Sequence, residues 1–243
     1  MANRFFEPGE QRADRVKDLF DGIAARYDLI NDVQSLGLHR LWKRRVVKLA
    51  DVKPGDRALD LCCGTGDLAL ALAQRSAEVI GLDFSQRMLE VAEERRAKVQ
   101  VAAGKVQFLR GDAQRLPFSD NSFDIITVGY GLRNLASWET GLREMHRVAR
   151  PGGRLLVLDF GKPGNAIWRS LYFGYLKLLV PLLGRIFCGN AAAYAYILES
   201  LKHFPGQRGV ETKMRELGLA NVKLCNLLGG AMSINYAEKG TER

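Results

Sequence analysis

Apolar residues recur along this chain with two different periods, and the periods alternate. Val16, Leu19, Phe20 and Ile23 fall at helical spacing and predict a helix over residues 10–26. From residue 57 onward, short apolar runs are separated by helical patterns. RALDLC (57–62), EVIGLD (78–83), KVQFLR (105–110), FDIITVG (123–129) and RLLVLDF (154–160) predict strands. Segments 67–76, 85–99 and 137–149 predict helices, with Asp67, Ser85 and Ser137 as N-cap or first-turn residues. Pro151-Gly152-Gly153 predicts a turn between the third of these helices and the fifth strand. Such alternation predicts a parallel sheet wound on both faces with right-handed crossovers.

The pattern changes after Phe160. Residues 164–204 carry Trp168, Tyr172, Phe173, Tyr175, Phe187, Tyr194, Tyr196 and Phe204, and predict two helices inserted before the sheet resumes. A helix over 208–217 ends at Gly218, and NVKLCNLL (221–228) and GAMSINYAEK (230–239) predict a final antiparallel pair. The expected architecture is a doubly wound, mostly parallel α/β sheet of seven strands with one antiparallel edge strand. It forms a single domain over 1–243: an N-terminal helical lid (1–50), a core (51–160), an apolar helical insertion (161–206) and a C-terminal helix and strand pair (207–243).

Composition narrows the class. The N-terminus MANRFFEPGEQRADRV has no apolar core of a signal peptide. LLVPLLG (178–184) is fenced by Lys177 and Arg185 and broken by Pro181, far short of the ~20 apolar residues that cross a bilayer. The expectation is a soluble, cytoplasmic protein. Cys62, Cys63, Cys188 and Cys225 have neither zinc nor disulfide spacing and read as small buried residues. Net charge is +9 and uneven. Residues 34–49 hold Arg40, Lys43, Arg44, Arg45 and Lys48 with no acid; residues 161–210 hold six Lys and Arg against Glu199 alone. Such a balance suits a solvated face or an anionic surface equally.

The first strand runs into Cys62-Cys63-Gly64-Thr65-Gly66, where glycines let a ligand approach the backbone. Gly64, Gly66 and Ala69 also satisfy a dinucleotide pattern. Charge argues against a pyrophosphate: Asp60 lies four residues before Gly64, and Asp67 opens the helix whose N-terminus would hold the phosphates. A sulfonium and an ammonium suit two acids, which favours S-adenosylmethionine. Asp83, 19 residues beyond Gly64, can accept both ribose hydroxyls, and Asp112 the adenine amino group or a turn.

Asp60–Gly66, Asp83 and Asp112 together resemble the class I S-adenosylmethionine-dependent methyltransferase pattern, with Cys62 where that family usually has glycine. The implied cofactor set is Asp60, Gly64, Thr65, Gly66, Asp83, Phe84, Asp112, Ala113 and Gly129. YDLINDVQSLGLHRLW (27–42) resembles the N-terminal signature of the quinone C-methyltransferases of menaquinone and ubiquinone synthesis. Arg147-Val148, Pro151–Arg154 and LLVLDF resemble their second signature, from which Ala149, Arg150, Asp159 and Gly161 depart. CCGTGDL and GYGLRN (129–134) are closer to the naphthoquinone branch.

The resemblance implies methylation of a ring carbon of demethylmenaquinol, a prenylated naphthoquinol, or alternatively of a related quinol, a ubiquinone precursor or a phytyl-naphthoquinone. Ionising its hydroxyl, with a pKa near ~10, costs ~4 kcal/mol at pH 7. Arg133 is the first candidate for a cation that lowers this cost, its other reading being a salt bridge to a neighbouring acid, and a water polarised by it is an alternative base. Tyr27, Asp28, Asn31 and His39 follow, on a segment that could close over the cofactor. His39 could relay a proton or be a capped surface histidine. Segment 164–204 would receive the prenyl tail and lie against anionic lipid, or else form core and homodimer contacts. Three rivals remain: a nucleic-acid methyltransferase, opposed by Gly129-Tyr130-Gly131-Leu132 where an Asn/Asp-Pro-Pro-aromatic turn is usual; an NAD-dependent oxidoreductase; and a noncatalytic scaffold.

Overall fold

The computed structural model describes residues 11–75, 77–99, 105–188 and 191–241. The N-terminal residues in which no signal peptide was read lie partly outside them, as do the side chains of Phe187, Cys188 and Tyr194. Strands β1 (Arg57–Leu61), β2 (Glu78–Asp83), β3 (Val106–Arg110), β4 (Phe123–Gly129), β5 (Ala149–Phe160), β6 (Ala220–Leu227) and β7 (Met232–Glu238) form one sheet in the order β3-β2-β1-β4-β5-β7-β6. The first five are mutually parallel. β7 runs antiparallel to both β5 and β6, so the reversed strand lies at that margin, one place in from β6.

Along each central strand successive side chains enter opposite cores, as expected of a sheet covered on both faces. Leu59 and Leu61 of β1, Ile126 and Val128 of β4, and Leu155 and Val157 of β5 join one cluster. Ala58, Ile125, Leu156 and Leu158 join the other. By the same alternation Asp60 and Thr127, adjacent in register, share the second face. The helices between strands are α4 (Asp67–Ala73), α5 (Gln86–Lys98) and α6 (Trp138–Val148). Ser85 caps α5 by accepting from Met88 N at 3.1 Å, and Ser137 caps α6 by accepting from Thr140 N at 3.1 Å.

Three local features differ from the pattern reading. The expected helix over 10–26 is α1 (Gln11–Ile23) plus a 3-10 turn (Ala24–Arg26), which leads into α2 (Tyr27–Ser35) and α3 (Leu38–Ala50). Leu36 and Gly37, both with positive φ, reverse the chain between α2 and α3. The Pro151–Gly153 turn interrupts β5 and does not precede it: Ala149 already pairs with Phe123, and the register then jumps to Ile125–Arg154. In the insertion, α7 (Ala166–Gly174) continues through a π-helical turn (Tyr175–Leu179) into α8 (Val180–Cys188). Pro181 has no amide hydrogen to give Lys177, and the widened turn accommodates the missing bond. α9 (Ala191–His203) and α10 (Gly206–Glu216) complete the fold. No helix among the described residues is long and apolar enough to cross a membrane.

Candidate active site

Strand order reverses between β1 and β4, and a cavity opens beyond the C-terminal ends of those strands, as the topology requires. Of the residues assigned to the cofactor, Gly64, Asp83, Phe84, Asp112, Ala113 and Gly129 line it. Asp83 is half-buried. One of its oxygens accepts from Gly64 N at 2.8 Å and the other from Ser85 N at 2.9 Å. Burial raises its pKa while these amides oppose the rise. Asp112 accepts from Gln114 N at 2.8 Å in a local turn and still lines the cavity.

Asp60, Thr65 and Gly66 do not line the cavity; they build the turn from beneath. Asp60 is buried, accepting from Thr127 Oγ1 at 2.6 Å and from Ala69 N at 3.1 Å, so it joins β1, β4 and α4. Burial pushes its pKa up to about 7. Gly66 packs where any Cβ would lie 2.9 Å from the Phe108 ring. Thr65 gives its hydroxyl to Asp28 Oδ1 at 2.8 Å.

Contrary to the expectation from charge, the acid that opens α4 is not free to meet a ligand. Asp67 is held between Lys43 and Arg95, whose cations draw its pKa down to about 2 against the effect of burial. Arg95 also donates to Asp28 at 2.9 Å and to the Thr65 carbonyl at 3.1 Å. The acids are therefore spent on structure, and the repulsion read from sequence is largely cancelled. Asp28 is a clamp that ties the N-terminal segment to the glycine turn. Arg95, within an ordinary amphipathic helix, gave no sequence signal of this role.

Acceptors remain to fit the cofactor. Besides Asp83 and Asp112, the cavity is lined by Asn134, whose Oδ1 is buried without a partner among the described residues, and by Tyr130, whose hydroxyl is likewise unpartnered. A ligand rich in donors, with ribose hydroxyls, an amino group and an ammonium, satisfies them, and S-adenosylmethionine is such a ligand. Cys62, in the usual glycine place, adopts φ 51° and faces Gly131. A Cβ on Gly131 would lie 2.3 Å from Cys62 Cβ. Gly131→Ala is therefore expected to displace this wall and weaken S-adenosylhomocysteine binding about tenfold, as overpacking costs ~1–3 kcal/mol. Calorimetry giving an unchanged Kd would mean that the turn shifts freely.

A second, larger cavity of about 730 Å³ meets the first at Phe20, Tyr27 and Tyr130. Tyr130 has φ 63°, an unusual conformation for a bulky side chain and one that clusters at functional sites. Within GYGLRN nothing in the sequence sets Tyr130 apart from its neighbours. Arg133, His39, Asn31 and Tyr27 line this cavity, so all three residues proposed as catalytic reach one space. Burial raises the Tyr27 phenol's pKa, partly offset by Lys43.

Arg133 is not a lone cation. It is buried, pairs with Asp159 at 2.8 Å, donates Nε to Ser200 Oγ at 3.2 Å and Nη1 to the Tyr130 carbonyl, and stacks on Phe160 at 4.6 Å. The salt bridge and the cavity wall thus both hold; Nη2 has no protein partner among the described residues. His39 is buried, which excludes the surface-histidine alternative.

The model of the ubiE/COQ5 methyltransferase family matches residues 8–239. The chain is 43% identical over 235 residues to the ubiquinone/menaquinone biosynthesis C-methyltransferase UbiE of Ectopseudomonas mendocina, covering 96% of this chain and 91% of that one. It is 38% identical over 231 residues to the demethylmenaquinone methyltransferase of Staphylococcus aureus, covering 93% and 94%. A SAM dependent methyltransferase from Aquifex aeolicus has the same fold, with a TM-score of 0.61 and 19% identity over 87% of this chain and 97% of that one.

Proposed function

The chain belongs to the ubiE/COQ5 methyltransferase family, and we propose that it methylates a ring carbon of demethylmenaquinol to give menaquinol. Its cofactor is S-adenosyl-L-methionine, which supplies an electrophilic methyl group carried on sulfur. The observation that carries the substrate reading is the apolar 730 Å³ cavity, joined to the cofactor cavity at Tyr27 and Tyr130 and walled on one side by Arg133. A volume of this order accommodates a bicyclic ring with part of a prenyl chain. Arg133 Nη2 donates to a quinol oxygen and favours its ionised form, while Asp159 holds the guanidinium in place. Tyr27 and Tyr130 close the junction against water, and the cavity wall aligns the ring carbon, a contribution of ~7–11 kcal/mol when alignment is complete.

The naphthoquinol is preferred over a ubiquinone precursor on the likeness of CCGTGDL and GYGLRN; both substrates occur in the names of the relatives. Methylating each hydroquinone under reducing conditions, separately and in competition, decides between them. A higher kcat/KM for the benzoquinol would overturn the naphthoquinol assignment.

The insertion also supports contact with a membrane surface. Ile167 is 74% exposed and Leu178 72%, with Leu171, Leu182 and Ile186 exposed on the same helices beside Arg169, Lys177 and Arg185. Leu171 and Trp168 line the large cavity as well, so its mouth opens on this face. The expected result is sedimentation with vesicles containing anionic lipid, weakened by salt, and about tenfold weaker for Leu178→Asp, since burying one leucine contributes ~1.5–3 kcal/mol. Binding that ignores both salt and the substitution would sink the idea.

A further inference from the structure

We propose that Nε2 of His39 is the base that takes the quinol hydroxyl proton, and that Ser35 is the positioning residue that fixes its tautomer. This inference rests on the quinol reading.

A single hydroxyl hydrogen on Ser35 sets the tautomer of His39. Ser35 Oγ lies within hydrogen-bonding distance of the Asn31 backbone carbonyl and 2.9 Å from His39 Nδ1. A carbonyl only accepts, so the single hydroxyl hydrogen goes to Asn31. Ser35 Oγ must then accept from the ring, which places the hydrogen on Nδ1. It also accepts from the His39 backbone amide at 3.3 Å. In a neutral ring Nε2 is left with a lone pair, and no described residue donates to it. His39 lines the large cavity with Tyr27, Tyr130 and Arg133. The order of groups, carbonyl to hydroxyl to imidazole to substrate, orients a base as a carboxylate does in other enzymes.

The charged neighbours leave the ring neutral. Asp32 of α2 stands 3.7 Å from Nδ1, but Arg40 of α3 binds its carboxylate through two nitrogens. Lys43 of α3 opposes protonation and is itself paired with Asp67 of α4. Arg133 and the phenols of Tyr27 and Tyr130 line the same cavity. Burial, with Lys43 next, holds the His39 pKa below its ordinary value.

The step balances. The hydroxyl proton passes to Nε2, and the oxygen pair moves into the ring. The ring carbon bonds to the methyl group, and the carbon–sulfur bond breaks with its electrons staying on sulfur. The hydrogen at the methylated carbon then leaves as a proton to the ring oxygen, restoring the hydroquinone. The imidazolium loses its proton to solvent, so one proton is released per methyl transferred.

The test is the pH profile of kcat/KM for a short-tailed demethylnaphthoquinol, kept reduced and with S-adenosylmethionine saturating at every pH, for the full chain and for His39→Gln and Ser35→Ala. The full chain should lose activity on acidification, with an apparent pKa below the usual histidine value. His39→Gln should lower kcat about 100-fold and erase that acid limb, with S-adenosylhomocysteine affinity kept within about threefold. Ser35→Ala, which removes one hydroxyl, should shift the limb and lower kcat about tenfold. Retention of the limb by His39→Gln, or an unmoved limb in Ser35→Ala, would overturn the proposal. Should His39→Gln lose cofactor binding altogether, the Ser35→Ala profile alone decides. A full chain that methylates no quinol refutes the substrate reading instead, a distinct result.

Discussion

Arg133→Ala is expected to lower both thermal stability and methyl transfer. Removing the guanidinium leaves Asp159 buried and unpaired, which costs ~3–5 kcal/mol. In a chain of this size that corresponds to roughly 6–20 °C in Tm. Loss of activity in that variant alone would therefore say little about chemistry. Arg133→Lys keeps the charge, but an ammonium cannot serve Asp159, Ser200 and the Tyr130 carbonyl in the same plane and still reach the cavity. It should lose about 100-fold in kcat, ~3 kcal/mol of barrier, while S-adenosylhomocysteine affinity stays within about threefold. Arg133→Leu combined with Asp159→Asn removes both charges and should recover most of the stability without recovering turnover. Calorimetry and a methyl-transfer assay on the three variants check this; an active double variant would reduce Arg133 to a structural role.

Asp83→Asn should act on the other cavity and in the opposite order. We propose that the Asp83 carboxylate accepts from two ribose hydroxyls; hydrogen bonds to a charged group contribute ~1.5–3 kcal/mol each, so S-adenosylhomocysteine binding should weaken by about 100- to 10,000-fold. Some of the loss will come from the turn, because Gly64 N and Ser85 N lose their charged acceptor. Melting temperature measured beside Kd separates the two. Burial raises the Asp83 pKa, and the ionised form is the acceptor. Affinity should therefore fall on acidification at a higher pH than an exposed aspartate would give. The asparagine variant should show no such dependence, and a variant that keeps it would shift the effect to another group.

Much of the scaffold was legible because period decides which face a side chain takes. A run such as FDIITVG, apolar at nearly every position, belongs to a strand covered on both faces, and Ile125 and Ile126 do enter opposite cores. Ser85 and Ser137 announced their helices because a cap is a local hydrogen bond, made within three residues. The place of the β5 turn depends on its partner strand, and the π-helical segment on how the helix absorbs the bond missing at Pro181, and neither follows from periodicity.

At the site, residue type alone was a weaker guide. Asp60 and Asp67 suggested a pocket for a cation by their charge, but Lys43 and Arg95 neutralise one and two hydrogen bonds occupy the other. Arg133 was recognised as a cation without its partner, because Asp159 lies 26 residues away on a neighbouring strand end. Tyr130 and Asn134 lie within GYGLRN, but their unpartnered buried oxygens, and the positive φ of Tyr130, are properties of the folded chain.

Periodicity and contiguous residues alone carry the order of strands and helices, the place of the nucleotide turn and the signature segments that mark the family. Only the folded chain shows which acids are already paired, that two cavities meet at Tyr27 and Tyr130, and that Ser35 Oγ lies beside His39 Nδ1. Those properties depend on groups brought together from distant positions in a buried setting, where a charge or a hydrogen is assigned by its partners.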